Sequence, residues 1–592
     1  MHITVMGTGY VGLVVGAGLA DFGLIVTCVD IDKDKINSLA EGKVPIYEPG
    51  LQELVRRNVE RRRLSFSADI KHSIQNSLVV FVAVGTDARP DGVADLSQIW
   101  SAADLIAESM EEYKVIVVKS SVPVGTAASL NARIRQSLSS RSPGTGPSEF
   151  DVVSNPEFLR EGSAVEDFFH PNRIVIGTAS ERAVAIAKDI YRPLYLIETP
   201  FVFTTWESAE LTKYAANAFL AVKVSFVNEL ANLCDAVGPS ADVHVIAHSL
   251  GLDRRIGPKF LHPGPGFGGY CFPKDTRALV QAARSYGEEF KTVEAAVAVN
   301  DRQFQRVVEK VRKGLESLEG KVVAVLGLSF KMNTDDVRES RSLKICEALL
   351  AENCSLRLFD PAAMAQARRV LKDDRVTFCS DSDEAVEGSD AVVIGTEWNE
   401  FRNLDLRRVK EHMRGDLLVD ARNIFDIAKA KSVGFRYYGI GRGGDEQKAP
   451  ALLDPVSRAI ARAPVDEEPE SEAERLAVAE SKVWFALLRA GDSSRRSARR
   501  FRSRFEGFKE AERLGVKKVA WSEQVRADVR RLDRETTMRI CAALQRFAET
   551  GEGDIKKLKG RSGEMRLRVG DFRVRFSAGP ADTLRIHSVG HP

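Results

Sequence analysis

The sequence predicts an α/β chain in which two doubly wound parallel sheets are joined by a long central helix, with a small α+β unit at the C-terminus. Three observations carry this reading. Short apolar runs alternate with helical patterns over residues 1–205, the alternation returns over 301–442, and an uninterrupted helical pattern lies between them. At 592 residues the chain is also too long for one hydrophobic core, given roughly 100–200 residues per domain.

The first region holds β-rich runs at Ile3 to Met6, Leu24 to Val29, Leu78 to Val84, Lys114 to Val118 and Arg173 to Ile176, each followed by a helical pattern. Such βαβ units make residues 1–205 a Rossmann-like domain. From Trp206 to Leu233 apolar residues recur at helical spacing with no proline or glycine between them, which opens a central region, 206–300, and offers a face to a second subunit. Strands at Lys321 to Gly327, Ser355 to Phe359 and Ala391 to Ile394, ending near Gly439, make 301–442 a second Rossmann-like domain. Residues 443–515 are polar and then arginine-rich, as in Arg495-Arg-Ser-Ala-Arg-Arg-Phe-Arg-Ser-Arg, and read as a linker. The last unit, 516–592, is expected to run strand Val519 to Ser522, helices Ser522 to Arg534 and Thr536 to Glu549, then strands Glu564 to Val569, Phe572 to Phe576 and Thr583 to Val589.

A formal charge of +2 gives the whole chain no push toward nucleic acid or an anionic membrane. The last unit differs: Lys517 to Pro592 carries 17 Lys and Arg against 10 Asp and Glu, a local footprint for RNA or another acidic partner, or else a solvated basic face. Seven cysteines, odd in number and without CxxC spacing, argue against a disulfide framework and a zinc cluster, so no metal is expected and a reducing cytoplasm is. The N-terminus enters a strand at once, without the form of a signal peptide, and no apolar run reaches the about eighteen residues of a membrane span.

Gly7-Thr-Gly-Tyr-Val-Gly12 follows a strand and opens a helix, placing backbone N–H groups where a pyrophosphate can sit. Asp30, at the end of the next strand, stands where an acid meets the adenosine ribose of NAD and repels the 2′-phosphate of NADP. Glu157 and Glu161 are spaced i, i+4, as are Lys213 and Asn217, so each pair would face one side of a helix. Phe260-Leu-His-Pro-Gly-Pro-Gly-Phe-Gly-Gly-Tyr-Cys-Phe-Pro-Lys-Asp275 carries a glycine-rich loop into Cys271, with Lys274 and Asp275 at hand to favour a thiolate and move protons. Cys28, Cys234, Cys346, Cys354, Cys379 and Cys541 read as buried structural cysteines.

Over about residues 1 to 442 the chain resembles the UDP-glucose/GDP-mannose dehydrogenases. The resemblance rests on the Gly7 and Cys271 segments together with Pro45-Ile-Tyr-Glu-Pro-Gly, Val84-Gly-Thr, Lys119-Ser-Ser-Val-Pro-Val-Gly-Thr, Asn155-Pro-Glu-Phe-Leu-Arg-Glu-Gly and Phe330-Lys-Met-Asn-Thr-Asp-Asp-Val-Arg-Glu-Ser. It implies oxidation of UDP-glucose to UDP-glucuronate by two NAD, with Cys271 as nucleophile, Asp275 and Ser121 holding the hydrolytic water, Lys213 and Asn217 stabilising an oxyanion, and Glu161 as acid/base beside Glu157. It implies NAD contacts at Gly7, Gly9, Tyr10, Val11, Gly12, Asp30, Lys35, Thr86, Ser121, Glu161, Lys274 and Arg338. Nucleotide-sugar contacts are implied at Glu157, Phe158, Leu159, Lys213, Asn217, Phe260, Gly264, Gly266, Phe267, Gly268, Phe330, Lys331 and Arg422, and at Arg255 reaching in from the other subunit of a homodimer.

Two positions depart from the family, which usually has threonine at Ser121 and serine at Tyr270; the tyrosine puts a bulky ring beside the nucleophile. Another nucleotide sugar, or a scaffold whose function lies in its tail, are the competing readings. The tail itself resembles RelE/ParE-like toxins in Ile555-Lys-Lys-Leu-Lys-Gly, Met565-Arg-Leu-Arg-Val-Gly-Asp-Phe-Arg-Val-Arg-Phe and Leu584-Arg-Ile-His-Ser-Val-Gly-His, which implies contact with RNA or the ribosome. An inert or oligomer-forming appendage and a joining of two neighbouring proteins stay open beside it.

Overall fold

In the computed structural model, residues 1–87, 89, 92–140 and 149–442 are described, and beyond them the strand residues 518–521, 555–557, 564–569, 572–579 and 583–590. The chain divides into two compact units, Met1–Ala463 and Pro464–Pro592.

The first unit opens on an eight-stranded sheet of β1 (His2–Met6), β2 (Ile25–Val29), β3 (Leu64–Ser67), β4 (Val79–Val82), β5 (Lys114–Val118), β6 (Phe150–Ser154), β7 (Ile174–Gly177) and β8 (Phe201–Thr204) in the order β3-β2-β1-β4-β5-β6-β7-β8. Pairing is parallel except between β6 and β7. Along β4 and β5 alternate residues enter opposite cores: Val79, Phe81, Val115 and Val117 pack on one face, Val80, Val82, Ile116 and Val118 on the other. Both faces are covered by helices, so these strands read as continuous apolar runs rather than alternating ones. The order reverses between β1 and β4, and ligands of such sheets sit at the carboxyl ends of the strands flanking that switch.

The second sheet comprises β9 (Val322–Leu326), β10 (Ser355–Phe359), β11 (Val376–Phe378), β12 (Ala391–Ile394), β13 (Leu417–Asp420) and β14 (Arg436–Gly439), all parallel, in the order β11-β10-β9-β12-β13-β14. It repeats the first design to the level of one carboxylate. Thr8, after β1, donates its backbone N–H to Asp30 after β2, and Ser329, after β9, donates its own to Asp360 after β10.

Between the sheets runs the helix Trp206–Val237. The Thr205 side chain accepts from Ser208 N at its start, and Gly238, at φ +105°, ends it in a conformation that favours glycine. It packs against the helices Cys271–Ser285 and Lys291–Leu315. The latter runs through residues 300 and 301, where the change of sequence pattern set a domain boundary, because its apolar positions Val293, Ala296, Val307, Val308 and Val311 keep helical spacing throughout.

In the second unit β15 (Lys518–Trp521), β16 (Ile555–Lys557), β17 (Glu564–Val569), β18 (Phe572–Gly579) and β19 (Thr583–Gly590) form a sheet in the order β15-β19-β18-β17-β16, with only β15 and β19 parallel. The strands expected at Glu564, Phe572 and Thr583 are present. The linker, the two expected helices and Cys541 lie outside the described residues.

Candidate active site

β1 leads into Gly7, whose φ of +96° and close neighbours leave no room for a side chain: a Cβ would lie 2.6 Å from Ala83 O. A Cβ on Gly12 would meet Gly7 O at 1.9 Å. Gly9 is different, since nothing lies within 4 Å of its would-be Cβ, and that open space sits at the N-terminus of the helix Tyr10–Asp21. A pyrophosphate fits there against unbonded N–H groups. Asp30 Oδ2 accepts from Thr8 N at 2.8 Å and Thr8 Oγ1 at 2.7 Å, and Lys35 Nζ stands 3.6 Å away. Burial pushes the Asp30 carboxyl up, but the bonds from Thr8 and Asp32 and the Lys35 charge hold it below the usual carboxylate range. Asp30 is therefore an anion beside the glycine turn, and the residues present fit NAD. On the neighbouring strands Thr86 Oγ1 donates to Ser121 O at 2.8 Å, which ties the two loops that follow β4 and β5.

The chemical cluster lies where the long helix meets the glycine loop. Lys213 Nζ pairs with Glu157 Oε1 at 2.8 Å, both buried. One turn on, Asn217 Nδ2 donates to Asp275 Oδ2 at 2.6 Å, and Lys274 Nζ holds Asp275 Oδ1 at 2.7 Å. Cys271 opens its helix among these groups. Burial pushes its thiol up to about 12; the Lys213 ammonium pulls against this, while the carboxylates of Glu157, Asp275 and Glu161 add to it. The resting group is thus a thiol. The cation acting on it is Lys213 and not Lys274, which the chain order puts near Cys271 but whose ammonium is taken up by Asp275.

Glu161 is pushed up to about 7 by burial and by Asp336 beside it, against Arg338 and Lys331. Arg338 reaches it at 3.6 Å while holding Asp336 at 2.7 Å. Glu157 and Glu161 do not share a helix face as their spacing suggested. Residues 155–160 are irregular: Pro156 interrupts the segment, and the Glu157 carboxylate accepts from Leu159 N at 2.5 Å in place of a helical carbonyl.

The glycine loop is braced from below. Asn228 Oδ1 accepts from Gly264 N at 2.8 Å, Asn300 clasps Phe267 through both its N–H and its carbonyl at 2.6 and 3.0 Å, and Arg341 Nε also donates to Phe267 O at 3.0 Å. Gly266 and Gly269 have φ of +110° and +78°, and a Cβ on Gly268 would lie 2.3 Å from Glu339 O. Phe260, a non-glycine residue at φ +62°, enters this loop with its ring 6.0 Å from that of Phe272. Arg422 donates to Gly395 O at 2.8 Å and Phe330 O at 3.0 Å, and Lys331 Nζ lies 5.4 Å from the Phe330 ring. Phe158 sits between two cations, Arg173 at 3.6 Å and Lys213 at 5.6 Å from its ring centre.

Thus Cys271, Lys213, Asn217, Asp275, Glu157 and Glu161 are gathered into one cluster from three stretches of chain. Arg255 is not: its side chain is 89% exposed and bonds Asp253. Several positioning residues escaped the sequence reading. Glu48 accepts from Gly162 N at 2.6 Å and Ala164 N at 2.7 Å and bonds the Tyr10 hydroxyl, fixing the turn beside Glu161. Lys119, buried and pushed down to about 7 by that burial, donates to Asn155 Oδ1 at 3.0 Å and Tyr191 OH at 3.3 Å. Asn228 and Asn300 had a signal, an amide on the apolar face of a helix.

Among the described residues no helix is long and apolar enough to cross a membrane, and no group of three His, Cys, Asp or Glu stands as a metal-binding set. Residues 1–195, 207–302 and 324–427 match, in turn, the NAD binding, central and UDP binding domains of the UDP-glucose/GDP-mannose dehydrogenase family. The UDP-glucose 6-dehydrogenase of Rhizobium meliloti is 48% identical over 447 residues, 75% of this chain and 100% of that protein. A UDP-glucose dehydrogenase structure from Pyrobaculum islandicum aligns at TM-score 0.68 with 38% identity over 75% of this chain and 98% of its own. A UDP-D-ManNAc dehydrogenase structure from Pyrococcus horikoshii aligns at 0.65 with 28% identity, covering 75% and 100%. With three domains matched in order and a relative covered over its whole length, the chain belongs to the UDP-glucose/GDP-mannose dehydrogenase family.

Proposed function

We propose that this chain oxidises the C6 alcohol of UDP-glucose to the carboxylate of UDP-glucuronate, with two NAD and one water consumed per sugar. The reading is carried by Cys271, placed among the Lys213–Glu157 pair and the Asn217–Asp275–Lys274 chain. NAD, held by the Gly7 to Gly12 turn, Asp30, Lys35 and Thr86, supplies the hydride acceptor for each oxidation. After the first oxidation the Cys271 sulfur bonds the C6 aldehyde carbon, losing its proton as the carbonyl oxygen gains one, and Lys213 and Asn217 stabilise that oxygen. Glu161 takes the hydroxyl proton as the thiohemiacetal becomes a thioester. Water, held by Asp275 and Ser121, then adds to the carbonyl and the sulfur leaves, recovering its proton. Phe330, Lys331, Arg422 and the loop from Phe260 to Gly268 hold the nucleotide sugar.

The test is NADH formation with UDP-glucose, followed to completion. Two NADH per sugar are expected, and none from Cys271→Ala despite retained nucleotide-sugar binding. One NADH per sugar would mean arrest at the aldehyde. Faster rates with GDP-mannose or UDP-N-acetylmannosamine would overturn the choice of sugar. A reducing cytoplasm suits a mechanism that needs Cys271 as a free thiol.

A homodimer completes this reading. Phe219, Phe226 and Leu233, seven residues apart on the long helix, form one stripe and are 66, 52 and 59% exposed. In such a dimer the family resemblance implies that the partner's Arg255 serves the sugar site.

For the tail, the observation that favours RNA contact is an arginine face. In the β17–β18 register Arg566 stands opposite Arg575 and Arg568 opposite Arg573, while Leu567, Val574 and Phe576 are buried on the other face. Arginines gathered on one sheet face can donate to phosphate oxygens of a nucleic-acid backbone. Binding of labelled RNA by the full chain should fall steeply with salt and be lost in Arg566→Glu/Arg575→Glu; equal binding by that variant would refute it. The toxin reading of this tail rests on its sequence resemblance, and arrest of translation on expression is its test.

A further inference from the structure

Glu210 is a buried carboxylate with no part in the reaction above. It stands on the long helix Trp206–Val237, one turn before Lys213. Its Oε2 accepts from Gly125 N at 2.8 Å and its Oε1 from Ala127 N at 2.7 Å. Those amides open the helix Thr126–Ser139, whose cap position is Gly125, at φ +89° and with no side chain to accept from the first turn. A carboxylate from another element takes the place of the missing cap, where the helix dipole favours an anion.

The capped helix follows the loop 119–125, which carries Ser121. One end of that loop is tied to the segment after β4: Ser120 Oγ donates to Val84 O at 2.7 Å, and Thr86 Oγ1 to Ser121 O at 2.8 Å. Glu210 holds the other end. Along the long helix Glu210, Lys213 and Asn217 are spaced i, i+3, i+7 and are all buried, so they share one face. Each bonds a different stretch of chain: the end of the Ser121 loop, Glu157, and Asp275 on the helix that Cys271 opens. One element thereby sets three parts of the site in register.

We propose that Glu210 is a positioning residue: by holding the Gly125 and Ala127 amides it fixes Ser121 relative to Cys271, and hydrolysis of the thioester depends on it. The proposal rests on the function above for the hydrolytic step. A cap of the ordinary kind would stabilise its own helix and favour no step of the reaction. This one comes from the helix that also carries Lys213 and Asn217, so its loss shifts the Ser121 loop against them.

Both hydrides leave before water adds, so the NADH of the first turnover precedes hydrolysis and the two are separable in one stopped-flow trace. The experiment follows the full chain with UDP-glucose and NAD for wild type, Glu210→Gln, Ser121→Ala and the double variant, with the thioester on Cys271 read by intact-protein mass spectrometry. Glu210→Gln keeps the size and replaces one acceptor oxygen by an amide nitrogen that cannot accept. It is expected to slow steady-state turnover about ten- to hundredfold, as misplacement of a reacting group does, to leave the first-turnover burst unchanged and to accumulate the thioester. In the Ser121→Ala background it should slow turnover no further. A burst slowed as much as turnover, unchanged turnover, or effects that multiply in the double variant would overturn the proposal. Hydrogen exchange of the resting full chain is the second measurement: amides over 121–130 should exchange faster in Glu210→Gln while those over 271–285 do not, and equal exchange over 121–130 overturns the tether. A wild type that forms no NADH with UDP-glucose removes the substrate reading, and the exchange result then decides the tether alone.

Discussion

The Asn217 amide donates a 2.6 Å hydrogen bond to Asp275 Oδ2, and the other oxygen of that carboxylate is held by Lys274. Neither oxygen is free to turn, so the carboxylate is fixed relative to Cys271. Asp275→Asn keeps the shape and loses the charge. It should lower steady-state turnover by about 10²- to 10⁴-fold while sparing the burst of NADH, and the thioester on Cys271 should accumulate, visible by intact-protein mass spectrometry. A burst reduced as much as turnover would show that Asp275 acts before hydrolysis. Asp275→Ala additionally strands the buried Lys274 ammonium and should destabilise the fold by about 3–5 kcal/mol.

Glu161 titrates near 7 because burial and Asp336 disfavour its anion. As a base it works only when ionised, so the thioester-forming rate should climb with pH through about 7, and Glu161→Gln should flatten that profile. The stability sign runs the other way. The folded carboxyl keeps its proton up to about 7, whereas an unfolded one releases it near 4.5, so this contribution is full below 4.5 and lost as pH rises through 7. Melting curves should show Glu161→Gln gaining on the wild type at pH 8 and not at pH 4.5.

Asp30→Ala removes the acceptor of two Thr8 bonds and the charge beside the glycine turn. KM for NAD should rise about ten- to hundredfold with kcat within about twofold, because the loss is of binding common to ground and transition states. Discrimination against NADP should narrow in Asp30→Asn, measured as the ratio of kcat/KM values.

Phe219→Glu with Phe226→Glu should give a single-chain mass by light scattering, since charges on an apolar seam oppose its burial. If the partner's Arg255 serves the sugar, this variant raises KM for UDP-glucose, and adding Arg255→Ala changes nothing more. A dimeric mass would reject the stripe as the seam.

Chain-local patterns carried far. The runs around Ile3, Leu78 and Lys114 are strands within a residue or two, the pattern from Trp206 is one helix, and the Gly7 turn and Asp30 meet as their spacing implied. What the sequence hid was pairing at long range. Lys213 meets Glu157 across 56 residues of chain, and no local rule distinguishes it from Lys274, three residues from Cys271 and engaged elsewhere. Glu48 looks like a loop acid until Gly162 and Ala164 arrive to bond it. The i, i+4 reading of Glu157 and Glu161 failed because Pro156 and a side chain bonding its own backbone outweigh spacing.

The two Rossmann-like sheets place an acid at the same point and leave it in opposite states. Asp30 bonds Thr8 and Asp32 and is only partly buried. Asp360 accepts from Leu328, Ser329 and Trp398 on one oxygen and from Ala362 and Ala363 on the other, and is sealed from solvent. A ribose arriving at the second sheet would have to displace an indole and four backbone amides from that carboxylate. Duplicate architecture therefore does not mean duplicate selectivity: a ribose meets a partly exposed acid at the first sheet and a fully bonded, buried one at the second.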